Sequence, residues 1–290
     1  MHQLSVIIPI YNEYFSLEKF MPGIIAYCRD RNWNVIMVND GSTDGTGELI
    51  NRFSENDHVT ILHHKLNKGY GAALKTGFMA CHTEYSITFD ADGQHALEDI
   101  DKLFHIIINR DADLVVGSRR SEKATSYYRG IGKGFIRCLA KILMTVPIYD
   151  LNSGMKIYRT ELAQKYLLLL PDTMAFSDII TLVFINNRNL VFEEPIQIKP
   201  RLHGKSAIGI QTAFQTIMEV IHIVILFNPM KIFLPLAVVC FFSTAVWGIP
   251  LFFQGRGVSI GTFLGVISGL IFFLLGLIAE QLSLIRRINH

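Results

Sequence analysis

Tyr85-Ser86-Ile87-Thr88-Phe89-Asp90-Ala91-Asp92-Gly93-Gln94-His95 decides how this chain is read. A short run rich in β-branched and aromatic residues stops abruptly at two carboxylates and a glycine. Such a run reads as a buried strand that ends in a polar turn. The same grammar repeats on both sides. Leu4 to Ile8, Val35 to Val38, Val59 to Leu62 and Leu114 to Val116 also read as strands. Segments near Leu17–Cys28, Gly45–Phe53, Ala72–Ala80 and Leu97–Ile108 carry the helical period between them. Strands alternating with helices at this spacing predict an α/β domain with a mostly parallel sheet covered on both faces. In open sheets of that kind ligands bind outside the carboxyl ends of the strands.

Those ends are polar. After the first strand come Pro9, Tyr11, Asn12 and Glu13; after the second, Asn39-Asp40-Gly41-Ser42-Thr43-Asp44-Gly45. Asn67-Lys68-Gly69-Tyr70-Gly71 follows the third, Asp90 to His95 the fourth, and Gly117-Ser118-Arg119-Arg120 the fifth. Five successive strand ends therefore supply one edge with acids, amides and cations.

If the segment stays extended, Asp90, Asp92 and Gln94 point to one side, with the two carboxylates about 6–7 Å apart along the backbone. Facing a diphosphate alone they would repel it, at about 4 kcal/mol per like pair at 4 Å and an effective dielectric near 20. A bound Mg²⁺ or Mn²⁺ reverses that sign by bridging carboxylate and phosphate oxygens. Asp40 offers a carboxylate to a base or ribose, and Gly41 allows close backbone approach; Asp44 suits the start of the next helix. The Gly69 loop lacks the Gly-Lys-Ser/Thr of a nucleoside-triphosphate loop, which argues against an ATPase. Arg129, Lys133 and Arg137 recur on one helical face, and Lys199, Arg201 and Lys205 cluster later. Together with Arg119 they could form a wall for phosphate groups. His63 and His64 close a strand and read as structural, whereas His95 adjoins the acidic motif and His203 a Gly-containing loop.

The tail is different in kind. Residues 232–253 and 258–279 carry no charge, and each is about 22 residues long, enough to cross a bilayer as a helix. Gln254-Gly255-Arg256-Gly257 leaves room only for a tight hairpin. Lys231 and Arg286-Arg287 flank the spans while the turn holds one Arg, so the positive-inside rule places both termini in the cytosol. Residues 206–230 have an amphipathic pattern suited to an interfacial helix or to packing on the first domain. The expected organisation is thus 1–205, 206–230 and 231–290. A formal charge of +2 is too small to suggest bulk attraction to nucleic acid. Cys28, Cys81, Cys138 and Cys240 lack metal-ligand spacing and read as buried thiols in a reducing compartment. Met1 to Ile8 has no basic n-region or cleavage site of a signal peptide.

With these residues in order, the chain resembles the family 2 inverting glycosyltransferases, and within them the polyprenyl-phosphate type such as dolichol-phosphate mannose synthase and the bacterial undecaprenyl-phosphate sugar transferases. Ser5 to Glu13, Val38 to Asp44, Asn67 to Ala73, Asp90 to His95, Gly117 to Arg119, Asp150 to Lys156, and Glu194 to Ile196 with Arg201 to Ser206 match in the family's order. The resemblance implies a type-A glycosyltransferase domain, Rossmann-like, followed by a two-helix transmembrane hairpin. It implies that Pro9, Tyr11, Glu13, Asp40 and Lys68 contact the nucleotide. Asp90, Asp92 and Gln94 would hold a divalent metal and the donor diphosphate. Arg119 and Arg129 would grip the acceptor phosphate, with Lys133, Arg201 and Lys205 nearby; Lys133 departs from the small hydroxyl residue often found in relatives. The implied partners are a UDP- or GDP-linked sugar, a polyprenyl phosphate and the lipid bilayer, with self-association left open. The implied place is a bacterial inner membrane or its equivalent. Transfer to a hydroxyl of a lipid or glycan, using Asp150 or Asp178 as base, is the alternative within the superfamily. A non-catalytic membrane-tethered assembly subunit is the alternative outside it.

Overall fold

The structure is a computed structural model that describes residues 3–119, 148–197, 218, 225, 228–255 and 257–288, with the backbone alone from 284. The chain divides into two compact units, one built on a sheet and the other on the long C-terminal helices.

In the first unit the chain runs β1 (Leu4–Ile10), α1 (Tyr14–Asp30), β2 (Asn34–Asn39), α2 (Thr46–Asn51), β3 (Val59–His63), α3 (Tyr70–Met79), β4 (Tyr85–Thr88), α4 (Glu98–Asn109) and β5 (Leu114–Ser118). These are the five strands and four helices that the apolar pattern predicts. They are followed by β6 (Lys156–Arg159), α5 (Thr160–Tyr166), a 3₁₀ turn at Leu167–Leu169, α6 (Phe176–Asn186) and β7 (Val191–Pro195). The sheet has seven strands in the order β3-β2-β1-β4-β6-β5-β7. β6 is antiparallel to both β4 and β5, and the remaining pairs are parallel. The carboxyl ends of β1 to β5 therefore share one edge, and the amino end of β6 joins them there.

β1 is buried along its whole length, as a central parallel strand must be. Its Pro9 costs no ladder bond. Pairing with β4 stops at Ile7–Thr88, so on that side the position of Pro9 has no strand to donate to. α3 packs close on β1 at Gly77, where a β-carbon would come within 2.4 Å of Ile7 Cγ2.

The second unit contains α7 (Met230–Phe253) and α8 (Ile260–Ile288). The turn between them uses Gly255 and Gly257 at φ +72° and +69°, values that suit residues without a β-carbon. α7 begins two residues before the expected span. α8 begins two residues later than expected and continues past it, because Glu280 and Gln281 extend the helix beyond its apolar stretch. Both helices are long and apolar enough to cross a membrane. They meet along small residues. On α7 the buried positions are Ala237, Thr244 and Gly248, one stripe at helical spacing. A β-carbon on Gly265 would lie 2.0 Å from Thr244 Oγ1, and one on Gly269 2.9 Å from Phe241. Without a hydrophobic drive between helices in lipid, such close backbone approach is what holds a pair together. The outward faces expose Phe242, Trp247, Phe253 and Ile260 among many other large apolar side chains, far more than a monomer in water presents. Apart from Met218, Ile225 and 228–230, the stretch read as amphipathic lies outside the described residues.

Candidate active site

The first two strand ends are stitched to each other. Asn12, at φ +54°, takes the N–H of Thr43 on its side-chain oxygen (2.8 Å) and donates its own N–H to Ser42 Oγ (3.0 Å). Asp44 accepts from Thr46 N at the start of α2 (3.1 Å) and from Tyr14 N at the start of α1 (3.3 Å), so its capping role extends to two helices. Tyr11 and Lys68 are exposed, Glu13 is half-buried with Ser16 Oγ donating to it, and Pro9 is buried in β1.

Asp40 is buried and already engaged. Its two oxygens accept the N–H groups of Lys68 (2.9 Å) and Gly69 (2.8 Å), and His64 Nδ1 stands 2.6 Å from Oδ1. The far nitrogen of His64 meets Thr76 Oγ1 at 2.9 Å. Three of about four lone-pair positions on the carboxylate are thus used inside the protein, and one is left for a ligand. His63 is held between Asn39 and Asn51. Both histidines are tied into the framework, as expected from their place at a strand end. The N-terminus of α3 is also closed, because the carbonyl of Asp172 accepts from Gly71 N and Ala72 N. That leaves no row of free amides for a phosphate at Gly69, in keeping with the missing Gly-Lys-Ser/Thr.

At the end of β4 the extended geometry expected for Asp90–Gln94 is corrected. The chain turns at Ala91–Gly93, Gly93 takes φ +73°, and Gln94 N donates back to Asp92 Oδ1 (3.1 Å). An aspartate that bonds its own backbone two residues on, followed by a left-handed glycine, makes a turn and not a strand. Strict alternation of Asp90, Asp92 and Gln94 is therefore not what brings them to one place. They share instead a turn at the carboxyl edge.

Asp90 is the most supported member. Tyr70 donates its hydroxyl to Oδ1 (3.1 Å), and His95 Nε2 lies 3.6 Å from Oδ2. Burial alone would push this carboxyl up. The hydrogen bond and charge of His95, the Tyr70 hydroxyl and the Arg119 guanidinium outweigh it and hold Asp90 below the usual carboxylate range. Asp90 is thereby kept as an anion at neutral pH. Gly154 backs onto it so closely that a β-carbon there would sit 2.0 Å from Asp90 Oδ2. Gly154→Ala is expected to displace the carboxylate and reduce turnover at this site about 100-fold, the usual result of a misplacement near 1 Å. A steady-state assay on the folded variant checks this.

Arg119, just after β5, is joined to Asp150 side-on, with Nε to Oδ2 at 2.7 Å and Nη2 to Oδ1 at 2.7 Å. Its backbone N–H reaches the same Oδ2, and Nη2 also donates to the carbonyl of Asn152. Glu193 on β7 accepts from the backbone N–H groups of Tyr149 and Asp150 and so fixes the returning segment. Burial raises the Asp150 carboxyl, but the hydrogen bonds and charge of Arg119 more than offset it and keep it ionised. Arg119 and Asp90 lie close enough for each to steady the other's charge.

The fold thus brings Asp90 and Arg119 together, places Asp92 and Gln94 in the adjoining turn, and leaves Asp40 as the anchor of the 64–69 loop. Arg129, Lys133, Arg201 and Lys205 lie outside the described residues. Sequence reasoning missed Tyr70 and Lys156. A tyrosine three residues after Asn67 carries no motif of its own. Lys156 did leave a signal, a lone cation opening the apolar run Ile157-Tyr158.

The sequence profile described as Glycosyl transferase family 2 matches residues 5–167, and that of the GtrB C-terminal hairpin matches 228–285. The chain is 32% identical over 212 residues to polyprenol monophosphomannose synthase of Mycolicibacterium smegmatis, which covers 69% of this chain and 79% of that one. It is 26% identical over 222 residues to undecaprenyl-phosphate 4-deoxy-4-formamido-L-arabinose transferase of Edwardsiella ictaluri, covering 75% and 66%. Among solved structures, glucosyl-3-phosphoglycerate synthase from Mycobacterium tuberculosis, crystallised with Mn²⁺, UDP and phosphoglyceric acid, superposes with a TM-score of 0.61 at 16% identity over 77% of this chain and 78% of that one. At that identity the likeness shows the fold. This chain belongs to glycosyl transferase family 2, with a type-A glycosyltransferase domain and the C-terminal hairpin of the GtrB type.

Proposed function

We propose that the protein transfers one sugar, with inversion, from a nucleoside-diphosphate sugar to a polyprenyl phosphate at the cytosolic face of a membrane. The observation that carries the acceptor class is the Arg119–Asp150 pair. A hydroxyl acceptor needs a base, and of the two aspartates considered for that role Asp150 is locked bidentate to an arginine and held below the usual carboxylate range, which makes it a weak base. A phosphate monoester has a second pKa near 6 and is already mostly dianionic at pH 7. Its oxygen can attack the anomeric carbon directly. The new bond joins phosphate oxygen to C1, the C1–oxygen bond to the donor diphosphate breaks, and the nucleoside diphosphate leaves with the electron pair. The named relatives, a polyprenol monophosphomannose synthase and an undecaprenyl-phosphate transferase, support the same acceptor class.

In this reading Tyr11, Glu13, Asp40, Lys68 and Pro9 border the nucleoside. Asp90 lies against the diphosphate. Arg119, with Arg129 and Lys133, orients the acceptor phosphate, and Arg201 with Lys205 adds charge near the phosphates. A divalent ion fits the donor set. Among the described residues no three His, Cys, Asp or Glu side chains gather to cage a metal. Magnesium typically takes one or two carboxylates and completes its octahedron with phosphate oxygens and water, and Asp90, Asp92 and the amide oxygen of Gln94 can serve in that way. When bound, such an ion neutralises the charge that builds on the departing diphosphate. The hairpin anchors the chain, and the excess of Lys and Arg flanking the spans favours cytosolic termini in a bacterial inner membrane.

The test uses full-length protein in detergent or nanodiscs, with UDP- and GDP-sugars, Mg²⁺ or Mn²⁺, and undecaprenyl phosphate, dolichyl phosphate or the free polyprenol. A lipid product heavier by one sugar, formed from a phosphate and not from the alcohol, and lost with chelator, is the expected result. Glycosylation of the alcohol would overturn the acceptor assignment.

A further inference from the structure

Lys156 opens β6 and is completely buried. A lysine in that position needs partners, because an uncompensated buried ammonium is among the costliest groups a protein can hold. It donates to the carbonyl of Leu151 (2.6 Å) and to the carbonyl of Ser177. These two acceptors belong to different halves of the site. Leu151 lies in the 149–155 segment, which carries Asp150 to Arg119 and Gly154 to Asp90. Ser177 lies in the first turn of α6, and its hydroxyl meets the phenol of Tyr70, which donates to Asp90. One ammonium therefore ties together the supports of both Asp90 and Arg119.

We infer that Lys156 is a positioning residue that fixes the distance between Asp90 and Arg119 through the carbonyls of Leu151 and Ser177, without touching substrate. This rests on the reading above, in which Asp90 serves the donor and Arg119 the acceptor. The charges facing the ammonium are Asp178 on α6, Asp150 in the returning segment and Asp90 after β4, all favouring the charged form, with Arg119 after β5 opposing it. Burial is the largest influence and lowers Lys156 to about 8, against 10.5 for a free lysine. The clamp is thus charged at neutral pH and loses its proton in mild alkali.

Full-length Lys156→Met and Lys156→Arg, in nanodiscs, test the assignment. The Met side chain matches the length without the donors. It is expected to lower kcat about 50-fold, as for a misplacement near 1 Å, while the KM values for donor and acceptor stay within about threefold. The Arg variant should recover to within about fivefold of the parent, because a guanidinium can reach both carbonyls. The parent's kcat should fall above about pH 8 and the Arg variant's should not, because arginine does not titrate there. Should the Met variant fail to fold, the alkaline limb of the Arg variant decides alone. A folded Met variant with the parent's kcat, or an Arg variant with the parent's alkaline fall, overturns the inference. Donor hydrolysis without acceptor, read on the same proteins, separates the two failures. If the parent transfers to no polyprenyl phosphate but the variants order hydrolysis in the same way, the acceptor assignment falls and the clamp stands.

Discussion

Asp90→Asn is expected to lower the rate of sugar transfer about 1,000-fold at saturating donor and metal, the scale of loss when a single preorganised charge is removed from a transition state. The substitution keeps the side chain's size, so Gly154 and the Tyr70 hydroxyl still find a neighbour of the same shape. What changes is the charge. The surroundings of Asp90 are organised to keep it ionised, and an amide there can neither attract a cation nor answer Arg119. Stability should respond in a pH-dependent way. A carboxyl held below its unfolded pKa contributes stability above that value, near 3.9, and loses it as pH falls through the lower folded value. The gap in melting temperature between parent and variant should therefore narrow below about pH 4. A variant retaining more than a tenth of the parent's rate would remove Asp90 from the mechanism.

Arg119→Met should be as damaging to activity, again about 1,000-fold, and should also destabilise the fold. The substitution leaves Asp150 without its guanidinium, and breaking a buried pair in this way costs about 3–5 kcal/mol. With Arg119 itself 33% exposed, solvent screening brings the expectation down to about 2–3 kcal/mol. The double variant with Asp150→Asn separates the two effects. It removes the stranded charge, so most of the lost stability should return, while transfer stays abolished if Arg119 orients the acceptor as proposed. Denaturant melts alongside product formation measure both. Recovery of activity in the double variant would mean that Arg119 serves only to neutralise Asp150.

The regular half of the fold could be read from the chain because β1 to β5 are apolar runs ending in polar turns. β6 could not. It is four residues long, carries Lys156 and Arg159 at its ends, and is buried only because it lies between β4 and β5. β7, Val-Phe-Glu-Glu-Pro, is a half-exposed edge strand whose two glutamates disguise it. The site divides along the same line. Asp90 and Arg119 follow strands and were visible as polar residues in the right places. Asp150 was visible as an acid, but its role depends on a contact 31 residues away that no local pattern encodes. Lys156 is the first residue of its strand, and only the reversed direction of β6 brings it to the edge formed by the carboxyl ends of β1 to β5. The turn at Ala91–Gly93 shows a different failure. Gly93 is in plain sight in the sequence, but alternation of Asp90, Asp92 and Gln94 requires an extended backbone, and an aspartate followed by a glycine favours a bend.

The Arg119–Asp150 pair also bears on how such an enzyme can diverge. Arg119 leaves the sheet and Asp150 returns to it at one edge, and the pair fastens exit to entrance like a collar. Residues 120–149 therefore leave the sheet and rejoin it at one point of its edge. Natural selection can lengthen, shorten or replace the sequence between Arg119 and Asp150 to suit a new lipid or glycan while the seven strands keep their pairing. Collar residues should then change more slowly across descendants than the stretch they enclose.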